Sequence, residues 1–184
     1  RRKMRRITGI LLLAATLAAG ASCKKEQLAI TYSNQEARID KYIESEVGKD
    51  PAITVTYNGG ASRMTRVQGE GAVLSADGHV SFHYAGYVFN GSVSATSMFA
   101  TNHQATAEQA GWNLTESDFS LFETGLSDKK LLEGLRKGLE GVRAGEECEI
   151  LFSGKYGYGN KTFGIIPANS ALLYKIWVVG VSNE

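Results

Sequence analysis

Apolar residues recur along the chain with two different spacings, and each spacing predicts one kind of secondary structure. A spacing of three to four residues, which places side chains on one side of a helix, occurs over residues 35–47 and residues 129–142. We expect the first helix to begin after the N-cap Asn34 and to end at Gly48, and the second to close at Gly145. The apolar stripes are Ile39, Tyr42, Ile43 and Val47 in the first helix, and Leu131, Leu132, Leu135, Leu139 and Val142 in the second.

Strand-like stretches, in which apolar and polar residues tend to alternate, occur in six further places. We predict strands over residues 53–57, 62–67, 80–88, 119–123, 146–152 and 171–181, with a hairpin turn at Asn58-Gly59-Gly60 between the first two. In the fifth strand the alternation points Cys148 to the same face as Ile150 and Phe152, which predicts a core residue rather than a nucleophile. One helix packed against several antiparallel strands is an α+β arrangement.

The stretch G-K-Y-G-Y-G-N-K-T-F-G-I-I-P, residues 154–167, predicts a shaped loop. Tyr156 and Tyr158 occupy alternate positions, so both rings lie on the same side of an extended chain, and the glycines around them fill no space. Such a loop forms an aromatic, mostly apolar hollow with phenol hydroxyls, which is typical of a small-ligand site. A structural loop held by two core tyrosines is the alternative.

The first 22 residues have the pattern of a signal peptide rather than of a folded segment. Five basic residues at positions 1–6 precede an apolar run over residues 7–19, which is too short for a membrane-spanning helix. Gly-Ala-Ser at 20–22 leads into Cys23 and resembles a bacterial lipoprotein processing site, although Gly20 stands where that pattern usually has leucine. We expect Cys23 to be lipidated, with simple secretion as the alternative.

The remaining chain is predicted to divide into three parts behind this signal. Residues 23–33 are polar and unpatterned and are expected to be a tether, residues 34–64 a helix and hairpin extension, and residues 65–184 the main domain. The expected location is the cell envelope of a Gram-negative-type bacterium, on its periplasmic side or its outer-membrane surface, with the lipid as the sole contact with the membrane.

Composition and charge exclude several function classes. Without residues 1–22, 15 basic residues face 19 acidic ones, and a formal net charge of −4 argues against a nucleic-acid partner. The three histidines and Cys148 lack metal-ligand spacing, and Gly69-Glu70-Gly71 lacks the lysine and the helix of a phosphate-binding loop. Neither a metal nor a cofactor is therefore predicted.

Three segments around the loop carry a resemblance to a known family. They read L-L-E-G-L-R-K-G-L-E-G-V-R-A-G-E-E-C-E-I-L-F at 131–152, A-L-L-Y-K-I-W-V-V-G-V at 171–181 and V-S-F-H-Y-A-G-Y at 80–87. Together with the loop, they resemble the FKBP-type (immunophilin) peptidyl-prolyl cis–trans isomerases over residues 65–182. The resemblance implies an antiparallel sheet wrapped around one short helix, here with an extra N-terminal helix and hairpin. It also implies an apolar pocket that accelerates rotation about Xaa–Pro bonds without a cofactor.

The resemblance also implies the residues of that pocket. Tyr84, Phe99 and Tyr158 match its principal residues, and the hydroxyl of Tyr158 is expected to donate to the substrate carbonyl. A second wall phenylalanine is assigned to Phe119, with Phe122 as the alternative, and the backbone N–H of Leu132 is expected to bind a ligand carbonyl. The remaining substrate-binding positions are Leu131, Leu132, Leu135, Phe163, Ile166 and Tyr174.

Three departures from the family pattern bear on activity. Ala100 stands where the family has an aspartate, Leu135 replaces a tryptophan on the pocket floor, and the segment from Phe99 to Phe119 spans 20 positions, about twice the usual length. The leading prediction is an isomerase that assists the folding of proline-containing envelope proteins and binds macrolide inhibitors weakly. The alternatives are an FKBP-like chaperone or peptide-binding module with little turnover, and a surface adhesin lipoprotein that uses residues 90–118.

Overall fold

The computed structural model describes the backbone of residues 5–184 and the side chains of residues 23–184. The predicted signal peptide lies outside the residues whose side chains are described. Within the described residues, no helix combines the length and the hydropathy that a membrane crossing requires. The elements are α1 (Arg5–Lys49), β1 (Thr54–Asn58), β2 (Ala61–Val67), β3 (His79–Val88), β4 (Met98–Thr101), α2 (Gln104–Gln109), β5 (Phe122–Gly125), α3 (Glu133–Leu139), β6 (Glu147–Phe152) and β7 (Leu172–Ser182).

The strands form one antiparallel sheet in the order β1-β2-β6-β7-β3-β4, and β5 pairs with β3. The longest pairing joins β3 to β7, from His79 opposite Ser182 to Val88 opposite Leu172. β1 and β2 form the predicted hairpin, with Asn58 opposite Ala61. The α+β prediction of an antiparallel sheet around one short helix, with an added N-terminal helix and hairpin, is confirmed.

The sheet is buried on both faces because side chains alternate along each strand. On one face, Phe152 and Ile176 pack with Leu139 of α3 in a core that also contains Cys148, which is buried as predicted. On the other face, Leu151 and Leu173 pack against α1.

Helix α1 is fastened to the sheet by apolar and polar contacts. Ile39 and Ile43, from the predicted stripe, are each 3% exposed, and the burial of each contributes about 1.5–3 kcal/mol. The hydroxyl of Tyr42 donates to Glu149 on β6 at 3.1 Å, and Arg66 pairs with both Glu46 and Glu149. The helix is therefore an integral layer of the fold.

The start of α1 differs from the prediction. The helix already includes Asn34, so this residue is not an N-cap, and residues 23–33 are helical rather than an unpatterned tether. Most residues of the K-K-E-Q-L-A stretch at 24–29 have high helix propensity, although they form no apolar stripe. An interpretation based on amphipathic periodicity therefore misses this part of the helix.

Two other elements are shifted relative to the sequence pattern. The strand predicted at 119–123 is β5, which begins only at Phe122, because a 3₁₀ turn at 116–119 comes first. Thr115 caps this turn through Asp118, whose carboxylate accepts from the Thr115 N–H at 2.8 Å and from its hydroxyl at 2.7 Å. The helix predicted at 129–142 is the shorter α3, since a turn around Asp128 precedes it.

Candidate functional site

A cavity of about 750 Å³ opens between the face of the sheet that carries α3 and the loop of residues 154–167. Nine of the ten predicted pocket residues line it, drawn from β3, β4, α3, the loop and β7. They are Tyr84, Phe99, Leu131, Leu132, Leu135, Tyr158, Phe163, Ile166 and Tyr174. Residues far apart in sequence thus meet around one mostly apolar hollow.

The assignment of Phe119 to the cavity wall is wrong. Phe119 ends the 3₁₀ turn at 116–119 and does not line the cavity, whereas Phe122 on β5 does. Pairing with β3 sets the Phe122 ring 5.3 Å from the ring of Phe82 and 6.0 Å from that of Tyr84. The capped turn before β5 takes up the intervening residues, which sequence spacing alone does not reveal.

Four aromatic rings, those of Phe99, Tyr174, Tyr84 and Phe122, form a continuous wall, in which two contacts are edge to face and the contact between Tyr84 and Tyr174 is tilted. The Tyr174 ring lies 5.7 Å from Phe99 at 79° and 6.2 Å from Tyr84. Gly86 makes room for this arrangement, since a Cβ there would lie 2.6 Å from the Phe99 ring. The wall offers a proline ring a desolvated surface of the kind that aromatic side chains provide.

A β-bulge sets the positions of Phe99 and Ala100. Gly86 on β3 pairs with Ala100 and the next residue, Tyr87, pairs with Met98, so Phe99 is the extra residue of β4. Bulges re-aim side chains, and here both Phe99 and Ala100 reach the cavity lining. Where the family has a carboxylate, this chain therefore presents only a methyl group to the cavity.

Three tyrosine hydroxyls lie at the cavity, whose lining also includes Glu123, Thr124, Asp128 and Lys130. Burial raises the pKa of Tyr174 well above its ordinary value of 10.0, and the neighbouring hydroxyls of Tyr158 and Tyr84 add to this shift. Burial also raises the pKa of Tyr84. The pKa of Tyr158 is raised by burial and held back by a hydrogen-bonding contact with Tyr174. All three phenols therefore stay neutral at physiological pH and can donate hydrogen bonds.

The entrance to α3 offers a backbone donor beside these hydroxyls. The N–H of Leu131 donates to the carbonyl of Asp128 at 3.1 Å. Within the described residues, the N–H of Leu132 has no partner, as expected for a residue just before the first turn of a helix. This geometry fits the predicted role of the Leu132 amide, while Leu135 on α3 forms the floor at 6% exposure.

The loop adds a pair of stacked rings and an apolar rim. Tyr158 and Phe163 stack with their centroids 4.7 Å apart and their planes at 5°. Ile166 is buried, whereas Phe163 is 60% and Ile165 71% exposed. A polypeptide entering the cavity would therefore contact exposed apolar side chains first.

The cysteine and histidine side chains bear on two further questions, metal binding and lipidation. In the described part of the chain, no group of three or more His, Cys, Asp or Glu residues could hold a metal ion. Cys23 is exposed on α1 with a free thiol, and its lipidation stays a prediction.

Sequence and structure comparisons place these features among known proteins. A family model described as "FKBP-type peptidyl-prolyl cis-trans isomerase" matches residues 71–179. FK506-binding protein 1 of Aspergillus oryzae is 22% identical over 123 residues, or 67% of this chain and 99% of that protein. FK506-binding protein 1A of Neurospora crassa is 36% identical over 55 residues, or 29% of this chain and 46% of that protein.

Two solved structures share the fold at low sequence identity. FkpA from Escherichia coli has a TM-score of 0.56 at 18% identity, covering 94% of this chain and 70% of that one. The N-terminal domain of FKBP42 from Arabidopsis thaliana has a TM-score of 0.53 at 21% identity, covering 71% and 93%. At such identities the likeness concerns the fold alone.

Proposed function

The chain belongs to the FKBP-type peptidyl-prolyl cis–trans isomerase family and is such an isomerase, and we propose that it assists the folding of cell-envelope proteins. In this proposal, the aromatic cavity desolvates the Xaa–Pro amide and favours its twisted form. The observation that carries the proposal is the neutral hydroxyl of Tyr158 at an apolar cavity walled by Tyr84, Phe99 and Phe122.

The chemistry requires little from the protein beyond binding. Rotation about an Xaa–Pro bond crosses a barrier of about 20 kcal/mol, and a thousandfold acceleration needs only about 4 kcal/mol of it. Water favours the planar, charge-separated amide, so an apolar cavity weakens that preference. Binding the twisted amide more tightly than the planar one lowers the barrier further.

Each part of the cavity has a distinct role in this mechanism. The rings of Tyr84, Phe99 and Phe122 hold the proline ring and exclude water. The Tyr158 hydroxyl and the Leu132 N–H donate to carbonyl oxygens that flank the rotating bond, which fixes the chain on one side while the other side turns. No covalent intermediate is needed.

The proposed clients are proline-containing polypeptides that are extended or partly folded. The exposed apolar rim of Phe163 and Ile165 supports this, because unfolded chains expose apolar residues that such a rim can bind. The FK506-binding names of the fungal relatives support macrolide binding by the same cavity. We expect that affinity to be weak, since Ala100 replaces the family's aspartate.

An envelope location is supported by the pattern of residues 1–23. A basic start, a short apolar run and small residues before Cys23 together favour export and a lipid anchor. In this proposal the acyl chains attached to Cys23 hold the protein at the membrane, and α1 leads from the anchor into the domain.

A second candidate is a peptide-binding chaperone with little turnover. Ala100 and the exposed rim favour it, because they weaken orientation of the substrate while retaining an apolar binding surface. The adhesin alternative rested on residues 90–118, and these form β4 and α2 within the domain.

Two measurements separate the two candidates: a proline-limited refolding assay and a turnover assay on a short Xaa–Pro peptide. Tyr158→Phe should lower kcat/KM by about tenfold, the loss expected when one transition-state hydrogen bond is removed. Tyr57→Phe is the matched control, since Tyr57 is 65% exposed on β1 and is absent from the cavity lining. An inactive parent that still suppresses aggregation would assign the function to the chaperone candidate.

A further inference from the structure

The loop that carries Tyr158 leaves the domain at Gly154 and returns at Asn169, and these two residues are in close contact. We call this contact the neck of the loop. A Cβ on Gly154 would lie 2.5 Å from the carbonyl carbon and oxygen of Asn169, so only glycine allows the two ends to approach this closely. The N–H of Asn169 donates to the Gly159 carbonyl at 2.5 Å, and the N–H of Gly159 donates to Gly154 at 3.0 Å. The position of everything between these residues therefore depends on how the neck is held.

A single side chain of α1 binds both sides of this neck. Gln35 is 5% exposed, and its Oε1 accepts a hydrogen bond from the N–H of Gly154 at 2.9 Å. Its Nε2 donates to the carbonyl of Asn169 at 2.6 Å. The carboxamide thus uses a donor and an acceptor at once to join two residues that are 15 positions apart in sequence.

Neighbouring residues on the same side of α1 strengthen this connection. The hydroxyl of Tyr32 donates to Oδ1 of Asn169 at 2.8 Å, and Ser153, which precedes the neck, donates to Glu36 at 3.2 Å. Positions 32, 35 and 36 lie together because residues three and four apart share one helix face. Asn169 has a φ of 59°, the left-handed region, and is the one non-glycine residue among those described that has positive φ.

The outer part of the loop has few contacts of its own. Residues 160–165 are all exposed, and the Tyr158 ring packs against the core and also stacks on the exposed Phe163. The neck is buried, since Ser153 is fully buried and Gly154 is buried with it. The neck is thus one of the points at which the fold sets the direction of Tyr158, together with its contacts to the core and to Tyr174.

We propose that Gln35 is a positioning residue for the isomerase, through which helix α1 closes the neck of the loop and holds the Tyr158 hydroxyl at the cavity. The inference rests on the proposed role of Tyr158. It extends the functional unit from residues 65–184 into the N-terminal helix, about 120 positions before Tyr158 in the sequence.

The test compares Gln35→Ala with Gln27→Ala, an exposed glutamine two turns earlier on the same helix. Both substitutions raise helix propensity by a similar small amount, but only Gln35→Ala removes the neck bonds. Assayed well below its melting temperature, Gln35→Ala should lower kcat/KM on an Xaa–Pro peptide by about five- to tenfold. Amide exchange at Gly154 and Asn169 should accelerate, and Gln27→Ala should change neither quantity.

Two further variants separate positioning from general destabilisation. Gln35→Glu keeps the acceptor for Gly154 but sets a carboxylate oxygen against the Asn169 carbonyl, so it should lower kcat/KM at least as much as Gln35→Ala. In a Tyr158→Phe background, Gln35→Ala should have little further effect, because its influence passes through the missing hydroxyl. If the losses of kcat/KM in the two single variants multiply in the double variant, the inference is overturned.

The outcome also distinguishes this inference from the proposed function. If Tyr158→Phe alone leaves turnover unchanged, the role assigned to Tyr158 fails, and the link from the neck to turnover fails with it. If Tyr158→Phe lowers turnover while Gln35→Ala accelerates exchange at the neck without affecting turnover, the proposed function stands and Gln35 has no positioning role.

Discussion

Replacing Ala100 by aspartate measures how much turnover the missing carboxylate costs. Ala100 and Tyr174 both pair with Gly86, on opposite sides of it, so the three residues lie side by side across adjacent strands. Two strand spacings separate Ala100 from Tyr174 by about 9–10 Å between Cα atoms. The rings of Phe99 and Tyr174 both lie over Gly86, where a Cβ would be 2.6 Å from the first and 3.0 Å from the second, so we expect the Tyr174 hydroxyl to be within reach of a carboxylate at position 100.

The expected gain in kcat/KM is the balance of two opposing free-energy contributions. A hydrogen bond to a charged group contributes about 1.5–3 kcal/mol, while part of that is lost when the carboxylate leaves water. The hydroxyls of Tyr174, Tyr158 and Tyr84 lie at the site and can donate to the new oxygens. A net gain of about 1 kcal/mol corresponds to a several-fold rise in kcat/KM.

The assay is turnover of an Xaa–Pro peptide by the parent, Ala100→Asp and Ala100→Asn. The asparagine has the same size without the charge, so it separates electrostatic orientation from space filling. We expect measurable turnover in the parent and a several-fold rise for aspartate, with tighter macrolide binding. If neither variant exceeds a folded parent that has no activity, the reasoning is wrong and the function is that of the binding module.

Four other predictions follow from burial and from the N-terminal pattern. Native Cys148 should react slowly with thiol reagents, because burial raises the pKa of its thiol. Cys148→Ser should keep turnover while losing stability. Fast labelling of the native protein would contradict the place of Cys148 in the core. Turnover should be flat between about pH 6 and pH 9, because the raised pKa of Tyr158 keeps it neutral. The raised pKa of Tyr174 contributes stability that is present below its ordinary pKa of 10.0 and is lost as pH rises above it. Urea unfolding should therefore show a free energy of unfolding that falls at high pH, and Tyr174→Phe should reduce this fall. Cys23→Ala should leave the protein soluble in the aqueous phase or unprocessed, while the parent enters detergent. A parent that is fully aqueous after processing would exclude the lipid anchor.

The fold was accessible from sequence wherever burial repeats with a regular period. The spacing of Ile39 and Ile43 predicts the face of α1 that packs on the sheet, and the alternation around Cys148 predicts its burial. Failures lie where local capping or propensity decides the conformation. The Thr115–Asp118 turn moved the wall phenylalanine from Phe119 to Phe122, and residues 23–33 are helical without an apolar stripe.

For the cavity, sequence motifs identified several residues, whereas their arrangement depends on the tertiary structure. Tyr84, Phe99 and Tyr158 belong to segments whose residue order carries the family resemblance, so they were identified without coordinates. That Tyr158, Tyr174 and Tyr84 lie close enough to raise one another's pKa, and that Ala100 lines the same cavity, depends on the strand register, the bulge at Phe99 and the course of the loop.

By itself the sequence determined the α+β class and the buried side of each regular element, because these depend on side-chain spacing over a few residues, while the family resemblance identified Tyr84, Phe99 and Tyr158. Tertiary structure alone decided which phenylalanine completes the wall and that Gln35 joins Gly154 to Asn169. A glutamine inside a helix has the same local pattern whether it faces solvent or the neck of a loop. Its partners lie about 120 positions away, and only the folding of the chain brings a donor and an acceptor to its two polar atoms.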